Sequence, residues 1–198
     1  MRGWVRFAPK RPRRTVRRNI LILGADGRTD RPRGILMTQL VQFSNSPEIF
    51  EAADRLFDRV SRKIGAVLPS AEIYHVGATA VPGSLTKGDL DVLVRVSRGD
   101  FQEADRALAE MYRRNVGSIR TDTFSAFMDE STSPELGVQL VVGGSELDTF
   151  VQWVRRLESD SALRAAYDAL KARYHSKPMS EYRDAKSAFI ARHMSASE

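Results

Sequence analysis

Residues 75–96 read HVGATAVPGSLTKGDLDVLVRV. From Asp89 onward the residues alternate with a period of two. A strand over Asp89 to Val96 therefore turns Leu90, Val92, Val94 and Val96 to one face and Asp89, Asp91, Leu93 and Arg95 to the other. Carboxylates at i and i+2 project side by side. Unpaired, they resist joint ionisation. A divalent cation reverses the sign of that interaction, and Mg²⁺ suits the pair, because it takes few carboxylates and fills its octahedron with phosphate oxygens and water. Upstream, Gly77-Ala78-Thr79 reads as a turn whose backbone N–H groups approach a phosphate with no Cβ in the way. The stretch specifies a metal-assisted phosphoryl or nucleotidyl site. Asp89 and Asp91 are its catalytic carboxylates and metal ligands, and Gly77, Ala78 and Thr79 its phosphate cradle. The bland alternative is a solvated Asp-x-Asp at a strand entrance; the glycine turn tips the reading towards the metal.

The elements on either side are legible from periodicity. Val41 and Phe43 suit a short extended segment. Ser46-Pro47-Glu48 opens a helix with Ser as N-cap and Pro in the first turn, and Phe50, Ala53, Phe57, Val60 and Ile64 carry its apolar stripe to a stop at Gly65. Glu72 to Val76 is a short strand. Asp100-x-x-Glu103 has the form of a capping box for a helix through Phe101, Ala104, Leu108 and Tyr112. Residues 121–128 and 137–142 form a hairpin around ESTSPE. Three amphipathic patterns close the chain at roughly 145–158, 160–174 and 180–194.

The charge is unevenly spread. Residues 1–36 hold ten Arg, one Lys and two Asp, a net of +9 against +6 for the whole chain, so residues 37–198 carry −3. The basicity belongs to the leader, and a pI near 9.9 is no argument for a nucleic-acid-binding body. Residues 1–36 are expected to be a disordered basic leader, with RNA contact through it as a third functional reading, and residues 37–198 to be the folded domain. Gly24-Ala-Asp-Gly27 lacks the spacing of a nucleotide loop. No apolar run approaches the length of a membrane helix. The absence of cysteine excludes disulfides and thiolate chemistry and fits a cytoplasmic protein.

HVGATAVPGSLTKGDLDVLVRV resembles the GrpB family of nucleotidyltransferase-fold proteins, whose mark is an H-[IV]-G-[SA]-T-[AS]-V-P-G-x-x-x-K run before an Asp-bearing strand. GVQLVVGGSELDTF, AAYDALK and MSEYRDAKSAFI are similar to that family's last strand and terminal helices, so the resemblance covers about residues 38–194. It implies an α+β fold, a short mixed sheet flanked by helices as in DNA polymerase β-like nucleotidyltransferases, with a C-terminal helical segment. It also implies a nucleoside triphosphate as ligand, Mg²⁺ as cofactor and an acceptor that the sequence does not name.

Two departures from that pattern carry consequences. Ala78 stands where the superfamily's turn usually has Ser, which leaves Thr79 as the hydroxyl. Gln139 in VQLVV stands where polymerase β-like enzymes carry a third carboxylate. An amide oxygen can ligate Mg²⁺, so Gln139 joins the metal set, but it is a poor base; Glu135 and Asp122 are the acids left to substitute. A non-catalytic nucleotide-binding module of the same fold is the alternative reading.

Lys87, beside the acidic pair, is a candidate phosphate ligand, or else an ion-pair partner of Asp89. Lys171, Arg183 and Lys186 on the terminal helices are further phosphate candidates, with solvated helix charges as the alternative. His75 is expected to shape the turn rather than transfer a proton. Trp153 and Tyr167 are expected in the core rather than in a base-stacking platform.

Overall fold

The computed structural model describes residues 40–194. The expectations for residues 1–36, and the start of the domain at residue 37, lie outside the described residues.

The first helix, α1 (Pro47–Val67), begins as its sequence directs. Ser46 is extended at the cap, Pro47 occupies the first turn, and Ala53, Leu56, Val60 and Ile64 form the buried stripe. It does not stop at Gly65. It runs on to Val67, and the Leu68 N–H still reaches the Ile64 carbonyl at 2.8 Å. The terminator is Pro69, which denies helical conformation to the residue before it. Gly65 instead lies under the neighbouring strand, where a Cβ would meet Ile73 at 3.7 Å.

Five strands follow, β1 (Glu72–Val76), β2 (Leu90–Val96), β3 (Arg113–Arg114), β4 (Phe124–Asp129) and β5 (Leu136–Val142), with α2 (Phe101–Met111) between β2 and β3. They form one mixed sheet in the order β1-β2-β5-β4-β3. Only β2 and β5 are parallel, with Leu90 opposite Leu136 and Leu93 opposite Gln139. The hairpin around ESTSPE is β4–β5. The capping box before α2 does not form: the Asp100 carboxylate takes the Ser97 hydroxyl at 2.7 Å rather than a helix N–H.

β3 has no sequence signal, because two arginines show no apolar alternation. Its place is fixed by Asp105 of α2. This buried carboxylate accepts both arms of Arg114 at 2.9 and 2.8 Å, Arg120 at 2.6 Å and the Ser125 hydroxyl at 2.6 Å. The Arg114 guanidinium and its companions hold Asp105 well below the usual carboxylate range.

The sequence closes with α3 (Phe150–Ser159), α4 (Ser161–Tyr174) and α5 (Met179–Met194). α3 starts five residues later than its stripe suggested, because Asp148 is turned back to accept the Gly144 N–H at 2.8 Å and Arg95 at 2.9 Å. α4 is capped by Asp160, whose carboxylate accepts the Leu163 N–H at 2.9 Å.

The alternation in β2 then divides the core. Leu90, Val92, Val94 and Val96 pack against α1 and α2. Leu93, with Val76, Phe124 and Val141, packs against Trp153, Leu157, Tyr167 and Ile190 of the terminal helices. The fold is α+β, a mixed sheet covered on both faces, as two central parallel strands require.

Candidate functional site

Asp89 ends the loop before β2, and Asp91 is its second residue. Both emerge on the face turned to α3, α4 and α5, where they line an open cleft of about 750 Å³ with the solvent at its mouth included. Lys87, Lys171 and Lys186 share that wall with Gly77 and Ala78, while Phe43, Phe150, Trp153, Tyr182 and Ile190 make the remainder largely aromatic and apolar.

Gly77 adopts φ +78°, a conformation that favours glycine. It is needed for space as well: a Cβ there would lie 2.3 Å from Asp91 Oδ2. The turn therefore presses its backbone directly against the buried acid. Ala78 lines the cavity, whereas Thr79 is turned inward and nearly fully buried. The Thr79 hydroxyl donates to the Asp89 carbonyl at 3.0 Å, and His75 Nε2 lies 3.1 Å from Thr79 Oγ1. Thr79 thus fixes the backbone of Asp89 rather than offering its hydroxyl to the cavity. His75 Nδ1 faces Asp54 at 3.3 Å, and its ring stacks on Phe57. Burial lowers the His75 pKa, with Asp54 opposing. Its contacts are those of a turn-shaping residue.

Lys87 Nζ stands 3.0 Å from Asp89 Oδ2. On the other acid, Gln139 donates its amide to Asp91 Oδ1 at 3.1 Å. Gln139 is on the carboxylate face, as its register opposite Leu93 dictates. It turns its nitrogen to Asp91, while its buried Oε1 has no hydrogen-bond partner. Among the described residues no group of three or more His, Asp or Glu is arranged to hold a metal ion. The carboxylate oxygens of Asp89 and Asp91 on the cavity wall are hard donors of the kind Mg²⁺ takes, with its other positions left to water and phosphate, whereas buried Gln139 is not on that wall. The donor set fits that ion. Glu135 is exposed, and Asp122 pairs with Arg98 at 3.3 Å. Neither belongs to the cavity wall.

Lys171 is almost wholly buried. Its ammonium donates to Ser84 Oγ at 2.9 Å, the Leu85 carbonyl at 2.6 Å and Asp168 Oδ1 at 3.0 Å, and it sits 4.3 Å from the Tyr167 ring centroid. Asp168 Oδ1 also accepts the Ser84 hydroxyl at 2.6 Å and the Leu85 N–H at 3.1 Å. An ammonium has three protons, and all three are committed to the chain. Lys171 is accordingly a tie between α4 and the loop that carries Lys87 and Asp89. Burial pushes its pKa down to about 8, against the pull of Asp168. Lys186 reaches the cavity, but half-buried Arg183 is not on its wall. Trp153 and Tyr167 belong both to the core and to the cavity wall.

Ser84 and Asp168 carried no functional reading in the sequence. Their one signal was the Asp168–Lys171 spacing, which puts both on one helix face. Phe43, Thr149 and Phe150 reach the cavity wall although the sequence reading gave them no role in a site.

A family model described as GrpB protein matches residues 49–196. A UPF0157 protein of Vibrio cholerae is 30% identical over 158 residues, 79% of this chain and 84% of its own length. In three dimensions the chain is similar to the conserved protein GrpB from Enterococcus faecalis, with a TM-score of 0.57 and 15% identity over 77% of this chain and 99% of that one. A Cid1 poly(U) polymerase in its Mg 3'-dATP-bound form overlaps more loosely, with a TM-score of 0.46 and 13% identity over 65% of this chain and 42% of that one. The family match spans both the acidic strand and the three terminal helices that enclose the cavity with it, and the chain belongs to the GrpB family.

Proposed function

We propose that this protein binds a nucleoside triphosphate together with Mg²⁺ in the cavity between β2 and the terminal helices, and transfers a nucleotidyl group to an acceptor hydroxyl with pyrophosphate leaving. The observation that supports the reading is the convergence of Asp89, Asp91, Lys87 and Lys186 on a cavity whose remaining lining is largely aromatic and apolar. Such a cavity offers a flat base an apolar surface and a polyphosphate its counter-charges. Asp89 and Asp91 would hold the ion, with the Gln139 amide orienting Asp91. When bound, Mg²⁺ supplies the positive charge that lets two carboxylates and a polyphosphate share one space. The chain itself supplies the backbone at Gly77–Ala78 for phosphate oxygens, Lys87 and Lys186 for their charge, and Lys171 and Thr79 to keep the intervening loop in place. A cytoplasmic setting, where such nucleotides are found, is part of the reading.

A second reading, a module that binds nucleotide without transferring it, is favoured by one observation. Gln139 occupies the third position with its amide nitrogen towards Asp91, and an amide does not take a proton from an attacking hydroxyl. Calorimetric titration with the four common nucleoside triphosphates, with and without Mg²⁺, on wild type and Asp91→Ala tests both. Metal-dependent binding that is lost in the variant is expected. Identical behaviour of the two proteins overturns the proposal. Binding without pyrophosphate release from any acceptor pool selects the second reading.

A further inference from the structure

We propose that Lys87 is the internal counter-ion of Asp89 and yields to an incoming polyphosphate, so that the divalent cation and the nucleotide bind cooperatively. This rests on the reading of the cavity as a nucleotide and cation site. Lys87 Nζ lies 3.0 Å from Asp89 Oδ2, and both side chains are 19% exposed on the wall they share with Asp91. One residue separates them. Gly88, at φ +92°, makes the bend.

The backbone beneath this pair is tied down on both sides. Lys171 and Asp168 hold Ser84 and Leu85 from behind, and the Thr79 hydroxyl holds the Asp89 carbonyl ahead. A displacement of Lys87 is therefore confined to the lysine stem, four carbons ending in a compact charge. Lys171 cannot play this role, because releasing it would cut the loop from α4.

The electrostatics follow from position. An ammonium at hydrogen-bond distance cancels half the negative charge that a cation would find on Asp89 and Asp91, so the ion alone must compete with it. A triphosphate offers the ammonium several negative oxygens against the two of a single carboxylate, and can draw it away. Whichever ligand arrives first removes the obstacle to the other, and the coupling is reciprocal.

The test measures Mn²⁺ alone, by the electron paramagnetic resonance signal of the free ion, and ATP alone in chelator, by calorimetry. Wild type, Lys87→Gln and Lys87→Arg are compared, with Asp91→Asn locating the ion. Lys87→Gln should bind Mn²⁺ about tenfold more tightly and metal-free ATP about tenfold more weakly, while Lys87→Arg stays near wild type in both. Opposite signs are not what a disturbed loop gives, since disturbance weakens both ligands. Equal Mn²⁺ affinity in wild type and Lys87→Gln, in proteins that still bind ATP with metal, overturns the counter-ion role and leaves the nucleotide reading standing. Lys87→Arg following Lys87→Gln overturns it as well. Failure of every protein to bind Mn²⁺ or ATP, together or apart, removes the nucleotide reading and this inference with it.

Discussion

Gly77 and Asp91 are packed so closely that a single methyl group on residue 77 would stand 2.3 Å from the Asp91 carboxylate oxygen. The contact joins the two halves of the motif that the sequence separates. Val76 pairs with Asp91 across β1 and β2, so the residue after Val76 is delivered to the acid by the sheet register itself.

Gly77→Ala should therefore lose on two counts. Alanine at φ +78° costs about 1–2 kcal/mol of backbone strain, and its methyl group must displace the Asp91 side chain. The expected result is a lower melting temperature together with loss of metal-dependent nucleotide binding. A variant that melts lower but binds nucleotide normally would show that Asp91 need not hold its place.

Gln139→Glu puts a second carboxylate against buried Asp91, where Gln139 now donates at 3.1 Å. Two like charges in a buried site disfavour each other, and the loss should be about 3 kcal/mol in chelator, in the range for uncompensated buried charge. Millimolar Mg²⁺ should restore much of that stability, by more than it adds to wild type. Thermal melts with and without Mg²⁺ decide it. An Mg²⁺ response equal to that of wild type would mean that no ion enters beside Asp91.

Lys171 titrates near pH 8 in the folded chain and near 10.5 unfolded. Between those values the unfolded chain holds more protons, so the contribution of this residue to stability rises with pH across that window. Below it, the full cost of burying the ammonium is present. Lys171→Met removes the titrating group and keeps the stem. The stability of wild type relative to Lys171→Met should therefore increase from pH 8 to pH 10, as read by urea unfolding at each pH. A constant difference across that range would contradict the depressed pKa. The same variant should weaken nucleotide binding at every pH, because the loop bearing Lys87 and Asp89 loses its tie to α4.

Much of the fold was legible because it is local. The period-two run of β2, the stripe of α1 and the terminal helical patterns each follow from residues within one element, and the structure has them within one or two residues apart from the late start of α3. The misses have physical causes. Gly65 looked like a helix stop, yet Pro69 supplied the stop and Gly65 accommodates Ile73. Asp100 looked like half of a capping box, yet Ser97 claimed its carboxylate. β3 is invisible in two arginines, because Asp105 positions them from another element.

The sequence by itself determined that Asp89 and Asp91 share a face of β2, that its other face is apolar and that a glycine turn precedes the two acids. Alternation and positive φ are properties of a few consecutive residues. Only the tertiary structure decided what meets those acids. Gln139 reaches Asp91 from 48 positions away, and Lys171 reaches Ser84 from 87. Such pairings are set by the parallel register of β2 and β5 and by α4 packing over the sheet. Their energy lies in burial and charge compensation between segments that no local pattern links, so the roles of Gln139 as a holder of Asp91 and of Lys171 as a loop tie appear only when the layers close.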